Sequence, residues 1–256
     1  MSTTKRPIEG RDEYAPRSGD SQRPLLAGLT GLYCAGKNHV AALLEQRGLP
    51  VLDLDRLGRR VIDGEARDAI LRRFGPAVSG GEGRVDRRLL GRRVFGRPEE
   101  LAALEAIVHP AVNRLTVEWI AGFSAPQNAG PENAGTPGNA GNPRTVLVIN
   151  AALLHKSSVR DQLDVLIVVH APWPVRLLRA RRRDRLPLGE LIRRFRSQRD
   201  FPQLFSSPSD RYSIANSGFP GSRRRLEKHV DEILEGLHHG KEKAAFGGCH
   251  GGGISG

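Results

Sequence analysis

The stretch from Leu25 to Glu45, LLAGLTGLYCAGKNHVAALLE, constrains this chain more than any other. A short apolar, strand-like start (Leu25–Leu29) runs into Gly31, four residues, Gly36 and Lys37. A helical run follows, with Val40, Leu43 and Leu44 on one face and Gly48 as its stop. A loop of this form between a strand and a helix is suited to holding phosphate. Its glycines let the backbone curl until successive N–H groups point inward, and the helix adds the positive end of its dipole. Lys37 is placed to reach the β- and γ-phosphates of a nucleotide. The candidate nucleotide-binding residues are therefore Gly31, Leu32, Tyr33, Cys34, Ala35, Gly36, Lys37, Asn38 and His39. Asn38 stands where a Ser or Thr hydroxyl is expected to bind Mg²⁺. Its amide oxygen is also a hard neutral ligand, on a longer side chain, and would bind directly or through water. Cys34 reads as a small loop residue, at a helix start that would lower a thiol's pKa.

Beyond the loop, strand and helix signals alternate. LPVLDLD (Leu49–Asp55) reads as a second short strand ending in two carboxylates, and EARDAILRRF and PEELAALEAIVHPAVNRLTVEWIAG are helical by period. RTVLVINAALL and LDVLIVVHAP are rich in Val, Ile and Leu without alternation, as buried parallel strands are. Arg-rich helices and SRRRLEKHVDEILEGL close the body. The pattern predicts an α/β fold, a doubly wound parallel sheet flanked by helices. Asp53 and Asp55 lie two apart at a strand end, which predicts that both point to one side of the sheet. Three segments bury too little apolar surface to order: residues 1–23, the Asn/Ala/Gly/Pro-rich 122–144, and the tail 238–256. A folded body over 24–237 follows.

At 256 residues with a formal net charge of +12, the chain suits anionic partners. Two distant cysteines give no disulfide framework, a reducing cytoplasm is the simple setting, and no apolar stretch is long enough to span a membrane. The Arg-rich helix admits nucleic acid as a partner, but the few aromatic residues that would stack bases speak against it. Oligomeric state is not legible.

Several linked motifs resemble one family. GLPVLDLDRLGRRV (Gly48–Val61) resembles the segment with two spaced Asp residues and a following Arg in dephospho-CoA kinases. GRVDRRLLGRRVFGRPEELAALEAIVHPAV (Gly83–Val112) is similar to that family's next stretch. LDVLIVVHAP followed by RLLRARRRD resembles its strand and lid helix, and RSQ and IANSG its closing Gln and Asn-Gly elements. The resemblance runs from about Leu25 to Leu237. It implies a P-loop kinase fold with helical substrate-binding and lid regions, ATP and dephospho-CoA as substrates, and Mg²⁺ as cofactor. A kinase acting on a sugar hydroxyl needs a carboxylate to accept or orient its proton. The resemblance assigns that task to Asp55, with Asp53 supporting it or the metal. The alternative for Asp53 and Asp55 is a polar strand end capping the next helix. Arg59 or Arg60, Arg88 and His109 would touch the acceptor, and Asn216 would hold the adenine. Arg179 and Arg183, four apart on one helical face, match the lid arginines that neutralise phosphate; Arg176, Arg181, Arg182, Arg185, Arg193, Arg194, Arg196 and Arg199 read mostly as solvated charges.

Departures from the family pattern fall on the metal and phosphate side. Besides Asn38, they are Asn150, His155 and His170 at positions where acidic residues are expected, and the 122–144 insertion. An active kinase with an adapted metal shell and a nucleotide-binding relative with weak or no catalysis are both compatible with these changes.

Overall fold

The continuous apolar runs become the centre of one parallel sheet. The computed structural model describes residues 23–124, 145–154, 157–196, 198, 211–218 and 221–239. Its strands are β1 (Leu25–Gly31), β2 (Val51–Asp53), β3 (Val146–Asn150), β4 (Val165–His170) and β5 (Arg211–Ala215). They pair in the order β2-β3-β1-β4-β5, every neighbouring pair parallel. Because β1 is central and its two neighbours lead away to opposite edges, the loop after Gly31 opens at the switch point of the sheet. That crevice is where doubly wound sheets bind ligands.

Strand alternation divides the core. Ala27, Leu29, Val148, Ile167 and Val169 face Val40 and Leu44 of α1 (Lys37–Gln46) and Val230 of α8 (Ser222–His239). On the other face Ile149, Leu166 and Val168 meet Leu54 and Leu57 of α2 (Leu54–Asp63), with Val112, Leu115 and Trp119 of α5 (Pro98–Ser124) alongside. Fully burying each such side chain contributes about 1.5–3 kcal/mol. The excursion between β2 and β3 adds α3 (Arg67–Phe74) and α4 (Arg87–Val94), which share a separate small core built on Ile70, Phe74, Leu90, Val94 and Val108. After β4, α6 (Trp173–Asp184) and α7 (Leu188–Arg196) form the lid pair, whose core of Ala180, Leu191 and Phe195 packs on Tyr33 and Cys34 of the loop.

Four details differ from the sequence reading. Helix α5 continues through His109–Pro110 to Ser124, so Gly122–Ser124 belong to it, and α8 extends to His239. Strand β5 carries no strand signal in the sequence, because it is an edge strand in which Ile214 alone is buried, without the apolar run of the inner strands. Asp55 is not on a strand at all: β2 ends at Asp53 and Asp55 lies in the first turn of α2. Residues 1–22, 125–144 and 240–256, with His155 and Arg199, lie outside the described residues. No helix among the described residues is long and apolar enough to cross a membrane.

Candidate active site

Two glycines fix the loop's shape. A Cβ on Gly31 would lie 2.5 Å from the Val169 carbonyl oxygen, so β1 and β4 could not stay paired around a side chain there. Gly36 has φ 95°, a left-handed conformation disfavoured for residues with a Cβ, and its Cβ would lie 2.2 Å from Asn216 Nδ2. Gly36→Ala is therefore expected to cost about 1–3 kcal/mol, read as a thermal midpoint several degrees lower, together with weaker ATP binding by calorimetry. Gly36 is the N-cap of α1; no side chain caps this helix and its first turn holds no acidic residue. The helix start thus presents open N–H groups and a positive dipole end.

The loop's carbonyls are held from behind. Arg176 Nε donates to Tyr33 O at 2.8 Å; Arg179 Nη1 donates to Ala35 O at 3.0 Å and Cys34 O at 3.4 Å. Asn216 Nδ2 also donates to Ala35 O at 3.0 Å, while Asn216 Oδ1 accepts from Arg179 Nη2 at 3.0 Å. Three consecutive carbonyls, those of Tyr33, Cys34 and Ala35, are thus held by side-chain donors. Arg176, read from sequence among the solvated charges, is 7% exposed and lies over the Phe195 ring. The signal was present: Arg176, Arg179 and Arg183 are three and four apart, one face of α6. Gln198, whose Oε1 accepts from Tyr33 N at 2.7 Å, completes the bracing. Asn216 is buried with both its amide atoms committed to this brace.

On the open side, Lys37 Nζ lies 3.3 Å from Asp55 Oδ2, which also accepts from Ala152 N at 3.2 Å. Helical rather than strand geometry brings Asp55 here. Asp53 adopts the capping alternative: Oδ1 accepts from Arg56 N at 2.9 Å, and Oδ2 accepts from Asn150 Nδ2 at 3.3 Å. Asn150 Oδ1 is buried without a hydrogen-bond partner. Arg59, one turn along α2, donates from Nε to Asp55 O at 3.0 Å. Asn38 and His39 are exposed in the first turn of α1. Arg183 reaches the loop by lying over the Tyr33 ring. Arg88, beside its N-cap Asp86, and His109, in mid-α5, are exposed, and neither bonds to the loop or the Asp53–Asp55 pair. His170 Nδ1 sits 3.2 Å from Ser213 Oγ on β5. Burial pushes the Cys34 thiol above its ordinary pKa, against the lowering expected from the helix start.

A central parallel strand, a glycine-bent loop opening a helix, and a lysine beside a carboxylate define a P-loop phosphotransferase. The dephospho-CoA kinase family model matches residues 25–129. A dephospho-CoA kinase of Thermus thermophilus is 33% identical over 221 residues, covering 86% of this chain and 96% of its own length. The chain belongs to the dephospho-CoA kinase family. The enzyme of that name from Moorella thermoacetica is 33% identical over 68% of this chain and 76% of its own. Among solved structures, the Thermus thermophilus protein TT1252 superposes with a TM-score of 0.65 at 31% identity, covering 86% of this chain and all of the other. The dephospho-CoA kinase from Campylobacter jejuni, 19% identical, shares the fold with a TM-score of 0.57 over 84% of this chain and 98% of its own.

Proposed function

We propose that this chain catalyses its family's reaction, transfer of the γ-phosphoryl group of ATP to the ribose 3′-hydroxyl of dephospho-CoA, within one kinase domain over residues 24–237. The contact between Lys37 and Asp55 carries the proposal, because it brings the phosphate-reaching cation and the hydroxyl-facing carboxylate together at one point. Phosphoryl transfer asks a protein mainly for positioning and charge neutralisation. The open amides at the start of α1 and Lys37 hold the β- and γ-phosphates. Asp55 Oδ2 orients the 3′-hydroxyl and accepts its proton. Arg59, tied to the Asp55 carbonyl, and the exposed Arg88 and His109 serve the acceptor side. Arg183 neutralises charge on the transferring group, while Arg179 and Asn216 keep the loop in shape beneath the nucleotide.

The donor set fits a hard cation. Two carboxylates (Asp53 and Asp55), the orphaned Asn150 Oδ1 and the exposed Asn38 amide are all oxygen ligands suited to Mg²⁺. When bound, Mg²⁺ neutralises phosphate charge. The free, half-buried Cys34 is compatible with a reducing cytoplasm.

The test is ADP release with ATP, Mg²⁺ and dephospho-CoA, with the acceptor omitted as control and CoA identified by mass. Acceptor-dependent ADP with CoA formed is expected; ATP binding without turnover would overturn the proposal. Asn38→Ser, run alongside, is expected to turn over at least as fast and to reach half its maximal rate at lower Mg²⁺, since a compact hydroxyl replaces a longer amide. An inactive wild type beside an active Asn38→Ser would make Asn38 the lesion.

A further inference from the structure

Tyr33 is held more completely than a residue of a phosphate loop needs to be. Its N–H donates to Gln198 Oε1 at 2.7 Å and its carbonyl accepts from Arg176 Nε at 2.8 Å, so its peptide groups are fixed from both sides. Its ring meets Phe195 edge-on at 5.5 Å, and Phe195 carries the Arg176 guanidinium 4.7 Å above its own ring. The hydroxyl donates to Asp184. Over the ring, at 5.1 Å, lies the guanidinium of Arg183, whose Nε and Nη2 donate to Asp184 Oδ1 at 2.8 Å and Oδ2 at 3.2 Å.

These contacts make a seat with an aromatic face beneath and a carboxylate at the edge. The Arg183 side chain is 60% exposed, and it follows Arg181 and Arg182 in the last turn of α6. A long cation so placed would sample many rotamers among like charges unless something stationed it. The aromatic face attracts the cation, and the carboxylate takes its Nε edge, leaving Nη1 outside both of those bonds. Because the ring belongs to the loop and the arginine to the lid, the seat ties the position of one to the other.

We propose that Tyr33 is a positioning residue that stations Arg183 at the phosphate loop for phosphoryl transfer. The inference rests on the reading of Arg183 as the group that neutralises the transferring phosphate. Tyr33→Leu, Tyr33→Phe, Arg183→Ala and the Tyr33→Leu/Arg183→Ala double variant test it, through kcat, KM for ATP and thermal midpoint. Tyr33→Leu is expected to lower kcat about tenfold with KM for ATP within about threefold, the scale of a partly desolvated cation–π contact. Tyr33→Phe, which keeps the ring, is expected to lose about threefold. The double variant is expected to be no slower than Arg183→Ala, since the two residues act as one unit. Losses that multiply in the double variant, or a Tyr33→Leu whose KM rises and thermal midpoint falls in step with kcat, would overturn the proposal in favour of general loop support. A slow Arg183→Ala beside a fast Tyr33→Leu would leave the Arg183 reading standing and remove Tyr33 from it. An Arg183→Ala as fast as wild type would remove the Arg183 reading, and the seat's purpose with it.

Discussion

Asp55→Asn is expected to lower kcat about 10²- to 10⁴-fold, the range for removing a positioned proton acceptor, while ATP affinity stays within about threefold of wild type. The two quantities separate because of what Asp55 touches. Its Oδ2 accepts from Lys37 Nζ and from Ala152 N. An Asn oxygen can still accept from that amide, so the start of α2 keeps its shape. The negative charge beside Lys37 disappears, so nothing that binds phosphate is lost. The carboxylate is 43% exposed, and an ion pair so open to solvent contributes only about 0–1 kcal/mol to stability. The thermal midpoint is therefore expected to move little. Single-turnover rates and calorimetric ATP titration check this, and parallel loss of turnover and binding would remove Asp55 as proton acceptor.

Lys37→Ala is expected to act on both quantities. Removing a preorganised donor aimed at developing phosphate charge costs about 10²- to 10³-fold in kcat. A charge-assisted hydrogen bond to ground-state phosphate is worth roughly 1.5–3 kcal/mol, so ATP affinity is expected to fall at least about tenfold. Side by side, the variants distinguish the two partners of one 3.3 Å contact: Lys37 binds and accelerates, Asp55 accelerates. A Lys37→Ala protein with full activity would remove the phosphate-loop reading.

The arginines show where sequence reasoning fell short. Arg179 and Arg183 stood out by spacing and resemblance, yet Arg176 lies one turn earlier on the same face and is the buried one. Spacing places all three on a face; it does not say what that face meets. Arg176 meets the Tyr33 carbonyl and the Phe195 ring, Arg179 meets the loop carbonyls and Asn216, and Arg183 meets Asp184 and the Tyr33 ring. Asp55 gives the complementary case. Its residue type and its place after β2 marked it correctly for the loop side, but strand alternation was the wrong geometry, because Asp53 caps α2 and turns the chain into a helix one residue earlier.

By itself the sequence determined the loop, its lysine, the parallel α/β order and the kinship with dephospho-CoA kinases. These signals are local: glycines at fixed spacing, apolar runs, and a helix start a few residues on. Only the tertiary structure decided which side chains brace the loop. The bond from Arg176 to Tyr33 spans 143 positions, that between Tyr33 and Gln198 165, and that from Asn216 to Ala35 181. No pattern within either segment encodes its partner. The pairs meet because β1 and β4 lie side by side and β4 pairs β5, all parallel, which brings the starts of α1, α6 and the segment after β5 together at the carboxyl ends of the strands. Buried polar groups brought there must find hydrogen bonds, and the loop carbonyls supply the acceptors.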